Sequence, residues 1–417
     1  MSSYDSDRMP TIQSSLPAER WTRLAVILAL TFAALNAVNA INKGGDAEVF
    51  IEGGRRLLHA APLYDGSSAA AGYIGPPFQA VFFAPFAAIA AWSLVAAKLL
   101  WHITGIACLI AGVVLITRSW SVARIDLGLP AAPAFPAAFA PLLAVLLPLQ
   151  TNFEHQNMNP LLLALMVGAA WLVVRGSDVA AGVVLGVAIA LKAFPALLVI
   201  VLVCRARWRA VAAAVGMAIV LTLLPLPVYG MEGYVQLLRD FTRLAGSGFP
   251  ARGNNQSLFA AFDRLMGPPD DDFIHQAEGA VLIAYCLVAA VLVLTLIIVS
   301  TRTRRPAIAT ITIQLYASIA IAVLLSPIAW DHYWVLMLPG LVVLYDSRDA
   351  RVLGTTGAVA FWCAAVLITG FARTLLGREL FGLARSLSSY TIAGLIIVGV
   401  LAWISTKAAN VTPRRDG

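Results

Sequence analysis

Long runs without charged residues dominate this 417-residue chain. Each run holds 19 to 25 residues, and a helix needs about 20 apolar residues to cross the hydrocarbon core of a bilayer. The runs are Leu24–Asn42, Leu99–Thr117, His155–Val174, Ala210–Met231, Gly279–Thr301, Pro306–Trp330, Val352–Ala372 and Ser386–Thr406. We therefore predict an all-α polytopic membrane protein with about 11–13 transmembrane helices, outer-face loops and short amphipathic or re-entrant helices.

The composition and the distribution of charge agree with this class. Hydrophobic residues make up 60% of the chain and charged residues 12%, whereas soluble domains carry about 25% charge. Basic clusters follow apolar runs, as cytoplasmic loops do; they are Arg205–Arg209, Arg302–Arg305, Arg348–Arg351 and Arg414–Arg415. Cytoplasmic loops therefore account for the net charge of +7. We expect membrane lipids and no nucleic acid as partners.

The basic clusters also predict the topology. We expect a disordered cytoplasmic tail at residues 1–20, a single transmembrane domain at 21–406 and a second cytoplasmic tail at 407–417. Val179–Leu191 and Ala193–Cys204 are too short for ordinary spans, so they should meet near Lys192. Further loops at 230–278, 326–333 and 372–388 should face outward. Residues 66–117 leave two alternatives open: either Phe78–Trp92 is re-entrant, or the charge rule fails there.

An acidic residue follows the first predicted span directly. Asp46 lies in the sequence Gly44-Gly45-Asp46-Ala47-Glu48, where paired glycines allow a sharp turn and a close approach of the backbone. Its carboxylate can take a proton from an alcohol, as a general base does. The alternative is that Asp46 caps the next helix. Residues Asp46–His59 have amphipathic character, which favours a helix at the membrane surface.

Two basic side chains at the predicted outer face are candidates for binding an anion. Lys192 interrupts 25 otherwise uncharged residues just before Pro195, and a lysine ammonium can bind phosphate. The alternative is that Lys192 snorkels to the interface. Asp331 and His332 lie among aromatic residues, and a histidine can donate to phosphate near neutral pH. An Asp–His pair can also be a simple interfacial hydrogen bond.

Other polar residues on the same side are candidate substrate contacts. Residues 150–160 are rich in amides, which suit the hydroxyl groups of a sugar, although a polar loop explains them equally well. Arg252, in the loop at 230–278, can bind phosphate or be solvated. The four cysteines have no ligand spacing, so we predict no disulfide framework and no metal site.

These motifs, taken in order, resemble glycosyltransferase family 87. The matching residues are Asp46, Leu63-Tyr64, Tyr73 with Pro76-Pro77, Gln156–Asn159, Lys192–Pro195, Asn255–Ser257, and Ser326-Pro327 with Trp330–His332. The resemblance implies a GT-C fold and an inverting transfer from a polyprenyl-phosphate sugar, typically mannose, to a lipid or glycan acceptor, with no cofactor.

The resemblance and the residue chemistry together assign the site. Asp46 is the expected catalytic base, and Lys192, His332 and Arg252 are expected to bind the donor phosphate. The expected substrate contacts are Tyr73, Gln156, Asn157, Asn159, Asn255, Gln256 and Asp331. The site should face the outside or periplasm of the cell membrane. The competing class is a transporter or lipid flippase, in which repeated halves with paired broken segments are typical.

Overall fold

The computed structural model describes residues 27, 31–32, 34–64, 72–125, 127, 136–246, 253–266, 279–302, 308–347 and 354–408. Within these residues the regular elements are helices, and the backbone of Asn255 forms an isolated antiparallel bridge with Trp330. The predicted all-α class is therefore confirmed for the described part of the chain.

Many of the helices follow the predicted apolar runs. They are α1 (34–42), α2 (Asp46–Leu58), α3 (Pro77–Trp92), α4 (Leu94–Ile125), α5 (Pro136–Ala144), α6 (Leu146–His155), α7 (Asn159–Val174), α8 (Asp178–Leu191), α9 (Leu198–Cys204), α10 (Trp208–Leu223), α11 (Leu226–Gly246), α12 (Leu258–Met266), α13 (Gly279–Arg302), α14 (Ile308–Leu325), α15 (Leu338–Asp346), α16 (Gly354–Ala365), α17 (Arg373–Ser386) and α18 (Ser389–Ala408). Two 3-10 helices, Phe194–Leu197 and Asp331–Met337, precede α9 and α15, and a π-helix, Val366–Gly370, follows α16.

Four of the described helices, α4, α13, α14 and α18, are long and apolar enough to cross a membrane. Three pairs of helices pass the same test together but are bent sharply at a short break: α6 with α7 by 119°, α10 with α11 by 93°, and α16 with α17 by 92°. The shorter helices α3 and α8 and the segment Phe194–Cys204 are also apolar. Broken apolar helices are tolerated where the break lines a protein cavity.

The central helix of the described bundle is α14. Its span is 89% buried and packs against α4, α7, α13 and α18. Because neighbours surround it, α14 needs no polar face. The chain leaves α14 at Leu325 and then enters the candidate site. Within the predicted run Pro306–Trp330, the helix α14 ends at Leu325.

The helix α4 separates the two ends of the bundle. Lys98, in its first turns, contacts Glu48 of α2, whereas Arg124, in its last turn, pairs with Asp346 of α15. A helix of 32 residues is about 48 Å long, which is enough to cross a bilayer. We call the end that contains Lys98 the site end and the end that contains Arg124 the basic end.

Helix α3 lies in the region 66–117, for which two alternatives were left open. Helix α3 packs along α2, with the Phe50 and Phe83 rings 5.0 Å apart. A Cβ atom at Gly54 would lie 2.6 Å from the Phe83 carbonyl carbon, so the absence of a side chain permits this contact. Helix α3 has 16 residues, which is short for an ordinary crossing, and α4 starts at the site end. The length of α3 therefore favours the re-entrant alternative.

Two expectations for the loops were wrong. The regions 230–278 and 372–388, predicted as outer loops, contain helical residues of α11, the helix α12 and the helix α17. Helix α17 carries three arginines among its apolar residues, and a segment with this density of charge does not register as a membrane span. The last helix, α18, also continues to Ala408, beyond the predicted end of the domain at 406.

The pair of helices α8 and α9 was predicted correctly, and its packing places Lys192. A Cβ atom at Gly182 would lie 2.2 Å from the Ala210 carbonyl oxygen, and one at Gly186 would lie 2.6 Å from that of Ala214. These two glycines therefore let α8 pack directly on α10, as small residues do in membrane helices. The C-terminal end of α8 is held at the site end, where Lys192 follows it.

Candidate active site

Asp46 is the first residue of α2, and its carboxylate lies at the centre of the candidate site. The N-cap of α2 is Gly45, and no side chain caps this helix, so the alternative of Asp46 as a capping residue is not observed. Instead, the Asp46 carboxylate accepts a hydrogen bond from Asn157 Nδ2 at 2.6 Å. The Asp46 side chain is 30% exposed, so the carboxylate remains accessible to a substrate.

The partner of Asp46 comes from the bend between α6 and α7. Gln156 adopts a left-handed conformation with φ of 54°, which ends α6 and reverses the chain. A Cβ atom at Gly45 would lie only 2.9 Å from the His155 carbonyl oxygen. The glycine before Asp46 thus allows the start of α2 to approach the bend closely enough for Asn157 to reach the carboxylate.

The other amides of the bend have separate tasks. Asn159 Nδ2 donates to Asn152 Oδ1 at 3.1 Å and to the His332 carbonyl oxygen at 3.2 Å. Gln156 Nε2 donates to the Lys98 carbonyl oxygen at 3.0 Å, so this side chain turns toward α4 and not toward Asp46. The predicted contact of Gln156 with substrate gains no support from this position and stays a prediction.

Several residues near Asp46 have buried polar atoms without a hydrogen bond. Within the described residues, Asn157 Oδ1, Asn159 Oδ1 and His332 Nε2 have no hydrogen-bond partner. Unpaired buried polar atoms are uncommon in folded proteins and call for an explanation, such as a missing ligand. Asn157 and His332 lie beside the Asp46 carboxylate, and polar atoms at this place suit a hydroxyl-rich substrate.

His332, a predicted phosphate ligand, lies beside Asp46. Its Nε2 atom is 3.5 Å from Asp46 Oδ2, and its ring centroid is 5.8 Å from that of His155 and 5.4 Å from that of Tyr333. His155 and Tyr333 were not among the predicted site residues. Both are sequence neighbours of predicted ones, but only the bend after α6 brings His155 to His332.

Lys192 occupies the break between α8 and the 3-10 helix that follows. Its backbone is extended, with φ of −150° and ψ of 137°, and its Nζ donates to the Tyr333 hydroxyl and lies 4.0 Å from the centre of that ring. Tyr333 thus lies between Lys192 and His332, since its ring centroid is 5.4 Å from that of His332. Lys192 therefore faces the site, and the alternative of snorkelling to the interface is not observed.

Asn255 and Gln256 anchor the chain behind the site. Asn255 Oδ1 accepts from the Ala329 amide at 2.9 Å, and its Nδ2 donates to the Pro327 carbonyl oxygen at 3.0 Å. Gln256 Nε2 donates to the Gly253 and Arg385 carbonyl oxygens, and its Oε1 accepts from the Tyr390 amide. The Asn255 side chain thus fixes the backbone at 327–329, whereas the Gln256 side chain connects its segment to α17 and α18. Direct contact with substrate stays a prediction for both residues.

The Asp331 carboxylate forms an ion pair with Arg385 of α17. Arg385 also lies over the Phe381 ring at 4.4 Å. This arginine was not predicted, because it lies in a segment that was expected to be a loop and no motif surrounds it. The ion pair connects α17 to the residue that precedes His332.

Tyr73 lies apart from the carboxylate. Its hydroxyl donates to the Pro76 carbonyl oxygen at 2.8 Å, and its ring stacks on Tyr64 at 5.9 Å. Burial raises the pKa of Tyr73 well above its usual value, so the hydroxyl remains a donor. Tyr73 packs against Gly53 of α2 and thereby supports the helix that carries Asp46. The predicted phosphate ligand Arg252 lies outside the described residues.

A model of glycosyltransferase family 87 matches residues 73–327, which is more than half of the 417-residue chain. Two mycobacterial relatives cover nearly the whole chain. The polyprenol-phosphate-mannose-dependent alpha-(1-2)-phosphatidylinositol pentamannoside mannosyltransferase of Mycobacterium tuberculosis (strain CDC 1551 / Oshkosh) is 29% identical over 96% of this chain and 91% of its own length. The polyprenol-phosphate-mannose-dependent alpha-(1-2)-phosphatidylinositol mannoside mannosyltransferase of M. tuberculosis (strain ATCC 25618 / H37Rv) is 25% identical over 89% of this chain and 87% of its own length.

A solved structure is also similar over most of the chain. The crystal structure of ArnT from Cupriavidus metallidurans bound to undecaprenyl phosphate aligns with a TM-score of 0.43 and 17% identity. The alignment covers 94% of this chain and 78% of ArnT.

Proposed function

This chain belongs to glycosyltransferase family 87, and we propose that it transfers mannose from a polyprenyl-phosphate donor to a hydroxyl group of a membrane lipid or lipid-borne glycan. The observation that carries the proposal is the position of the Asp46 carboxylate. It is held by Asn157 at 2.6 Å and lies 3.5 Å from His332, and Lys192 donates to Tyr333, the residue after His332. The site thus offers a carboxylate as base and a lysine and a histidine for a phosphate.

Asp46 is the general base in this proposal. The acceptor oxygen forms a bond to the anomeric carbon while the bond from that carbon to the phosphate oxygen breaks, and the acceptor proton moves to Asp46. General-base catalysis of this kind contributes about 10²–10⁴-fold to a rate. Because the phosphate leaves from the opposite face, one carboxylate suffices and the configuration is inverted, in contrast to the two-carboxylate arrangement of glycosidases.

Lys192 and His332 bind the phosphate in this proposal. The electron pair of the broken bond stays on the polyprenyl phosphate, whose negative charge grows during the reaction. Preorganised cations and hydrogen-bond donors stabilise such a developing charge. Lys192 supplies the ammonium, and the buried Nε2 of His332, which has no hydrogen-bond partner in the described structure, supplies a donor. Arg252 is a third phosphate ligand on the sequence argument alone.

The substrates are inferred from the relatives and from the amides near Asp46. The named relatives depend on polyprenol-phosphate mannose and act on phosphatidylinositol mannosides, which supports the same donor and a lipid acceptor here. The unpaired carbonyl oxygens of Asn157 and Asn159 can accept hydrogen bonds from sugar hydroxyls. We further propose that the site end faces outward, because the described basic residues Arg205 and Arg302 lie at the ends of α9 and α13 that are away from the site, and basic residues mark the cytoplasmic side.

The proposal is tested by incubating the purified protein with radiolabelled polyprenyl-phosphate mannose and membrane lipids as acceptors. We expect a labelled glycolipid that an α-mannosidase degrades. Polyprenyl-phosphate arabinose, offered in parallel, tests the choice of sugar. Movement of labelled donor across a vesicle membrane without formation of a glycoside would instead indicate the transporter or flippase alternative.

A further inference from the structure

Lys98 lies in the first turns of α4, where its charged side chain is buried, and burying a charge costs free energy. Its side chain is 3% exposed, and it belongs to a helix that is long and apolar enough to cross a membrane. A charge removed from water is costly unless it is paired and hydrogen-bonded, and such residues in membrane helices commonly have a task. The role proposed for Asp46, Lys192 and His332 does not use Lys98.

The Lys98 ammonium holds the segment that carries Asp46. Its Nζ atom donates to the Ile41 carbonyl oxygen at 2.9 Å and to the Lys43 carbonyl oxygen at 2.9 Å, and it pairs with Glu48 Oε1 at 2.8 Å. These acceptors lie on both sides of Asp46 in the sequence. An ammonium has three protons, and the three acceptors use all of them, so the link between α1 and α2 is fixed at both ends.

The same turn of α4 holds the bend that carries Asn157. The Lys98 carbonyl oxygen accepts from Gln156 Nε2 at 3.0 Å, and Trp101 Nε1 donates to the Gln156 carbonyl oxygen at 2.7 Å. Residues 98 and 101 are three apart and thus lie on one face of the helix. This face therefore contacts both chain segments that meet at the hydrogen bond between Asp46 and Asn157.

We propose that Lys98 is a positioning residue for catalysis: it fixes the segment of Asp46 against the bend of Asn157 and so sets the place of the base. The inference rests on the proposed role of Asp46. A displacement of about 1 Å at a reacting group can cost about 100-fold in rate. Lys98 does not touch the reacting atoms, so its removal should lower kcat and leave the binding of donor largely unchanged.

The test compares Lys98→Met with Arg124→Met. Both residues are buried cations of α4 that pair with a carboxylate, since Arg124 Nε lies 3.0 Å from Asp346 Oδ2 with its side chain 8% exposed. Arg124 lies at the basic end and has no contact with the site. Both variants should lose similar thermal stability. We expect Lys98→Met to lower kcat about 100-fold with the donor KM nearly unchanged, and Arg124→Met to keep the wild-type kcat.

The outcomes decide the proposal. A folded Lys98→Met variant with wild-type kcat overturns it, and so does an equal loss of kcat in Arg124→Met, because that result would show a general effect of destabilisation. If Lys98→Met does not fold, the variant Glu48→Gln decides, because it keeps the lysine and its two backbone acceptors. We expect Glu48→Gln to lower kcat about 10-fold, and an unchanged kcat overturns the proposal. Asp46→Asn in the same assay separates the two claims: an active Asp46→Asn refutes the base, whereas an inactive Asp46→Asn with an active Lys98→Met refutes only the role of Lys98.

Discussion

Asn157 donates a hydrogen bond of 2.6 Å from its side-chain amide to the carboxylate of Asp46, across a separation of 111 residues in the sequence. An amide nitrogen does not give up its proton, so this bond orients the carboxylate and leaves it able to accept a proton. The pair joins the start of α2 to the bend between α6 and α7. The roles of Asp46, Lys192 and Asn157, the independence from metal and the orientation of the site can each be tested.

Replacing Asp46 by asparagine should abolish most of the transferase activity. Asp46→Asn keeps the shape of the side chain but cannot accept the acceptor proton, so we expect kcat to fall about 10²–10⁴-fold. Asp178→Asn is the matched control, because Asp178 Oδ1 accepts from Arg207 at 3.3 Å near a basic cluster, away from the site. Near wild-type turnover in a folded Asp46→Asn variant would refute the assignment of the base.

Replacing Lys192 by methionine should weaken the binding of the donor and slow the reaction. The variant keeps an apolar stem but loses the charged donor, and a hydrogen bond to a charged group contributes about 1.5–3 kcal/mol. We therefore expect kcat/KM for the donor to fall about 10- to 100-fold. Lys407→Met is the control, because Lys407 lies near Trp403 at the end of α18. An unchanged kcat/KM in Lys192→Met would remove the phosphate role.

Replacing Asn157 by aspartate should change the pH dependence of the reaction. A second carboxylate beside Asp46 disfavours the charged form of the base, and the base works only when it is charged. We therefore expect the pH at which kcat falls on the acid side to move upward, with a lower maximum. Gln150→Glu adds a negative charge on the exposed part of α6 and should leave the profile unchanged. An identical profile for Asn157→Asp would show that the Asp46–Asn157 pair does not govern the reaction.

Catalysis should not depend on a divalent metal. The proposed donor carries one phosphate, whose charge Lys192 and His332 can neutralise, so no metal is needed to bridge a diphosphate. Three consecutive acidic residues, Asp270–Asp272, lie outside the described residues, and a solvated acidic turn explains them without a metal. Activity should persist in EDTA and gain nothing from added magnesium or manganese. Loss of activity in EDTA that either metal restores would contradict this prediction.

The site end should face away from the cytoplasm. Ser386, at the end of α17 beside Arg385, and Thr301, near the last residues of α13, are both exposed and lie at opposite ends of the bundle. Single cysteines at these positions, in a variant without the four native cysteines, can be tested in intact cells whose outer envelope is permeable. An impermeant maleimide should label Ser386→Cys and spare Thr301→Cys. The reverse labelling would invert the topology and remove the argument for a polyprenyl-phosphate donor.

Much of the local structure could be predicted from the sequence. The uncharged runs predicted the membrane helices because burying a charge in lipid is costly, and the amphipathic pattern after Asp46 predicted α2, which ends at Leu58. The short apolar segments on either side of Lys192 predicted the break that exposes its ammonium to the site. The order of the motifs gave the family, which the match over residues 73–327 confirms.

Other parts of the fold are invisible to a pattern of hydropathy. The helices α12 and α17 were predicted as loops, because amphipathic segments at a membrane surface carry charges that interrupt an apolar run. The bend at Gln156 lies inside a run that was predicted as one continuous span, since a left-handed residue leaves no signature in composition. Arg385, which pairs with Asp331, has no motif around it, so the sequence pattern did not single it out.

The sequence alone therefore determined the class of protein, the order of its membrane segments and the polar residues worth testing, because each of these depends on local composition. Only the tertiary structure decided which of those residues meet. It brought Asp46, Asn157, Lys192 and His332 together and turned Gln156, Asn255 and Gln256 toward the backbone. These distinctions depend on contacts between segments 50 or more residues apart, such as Lys98 with Glu48, which arise from helix packing and from buried hydrogen bonds that must be satisfied.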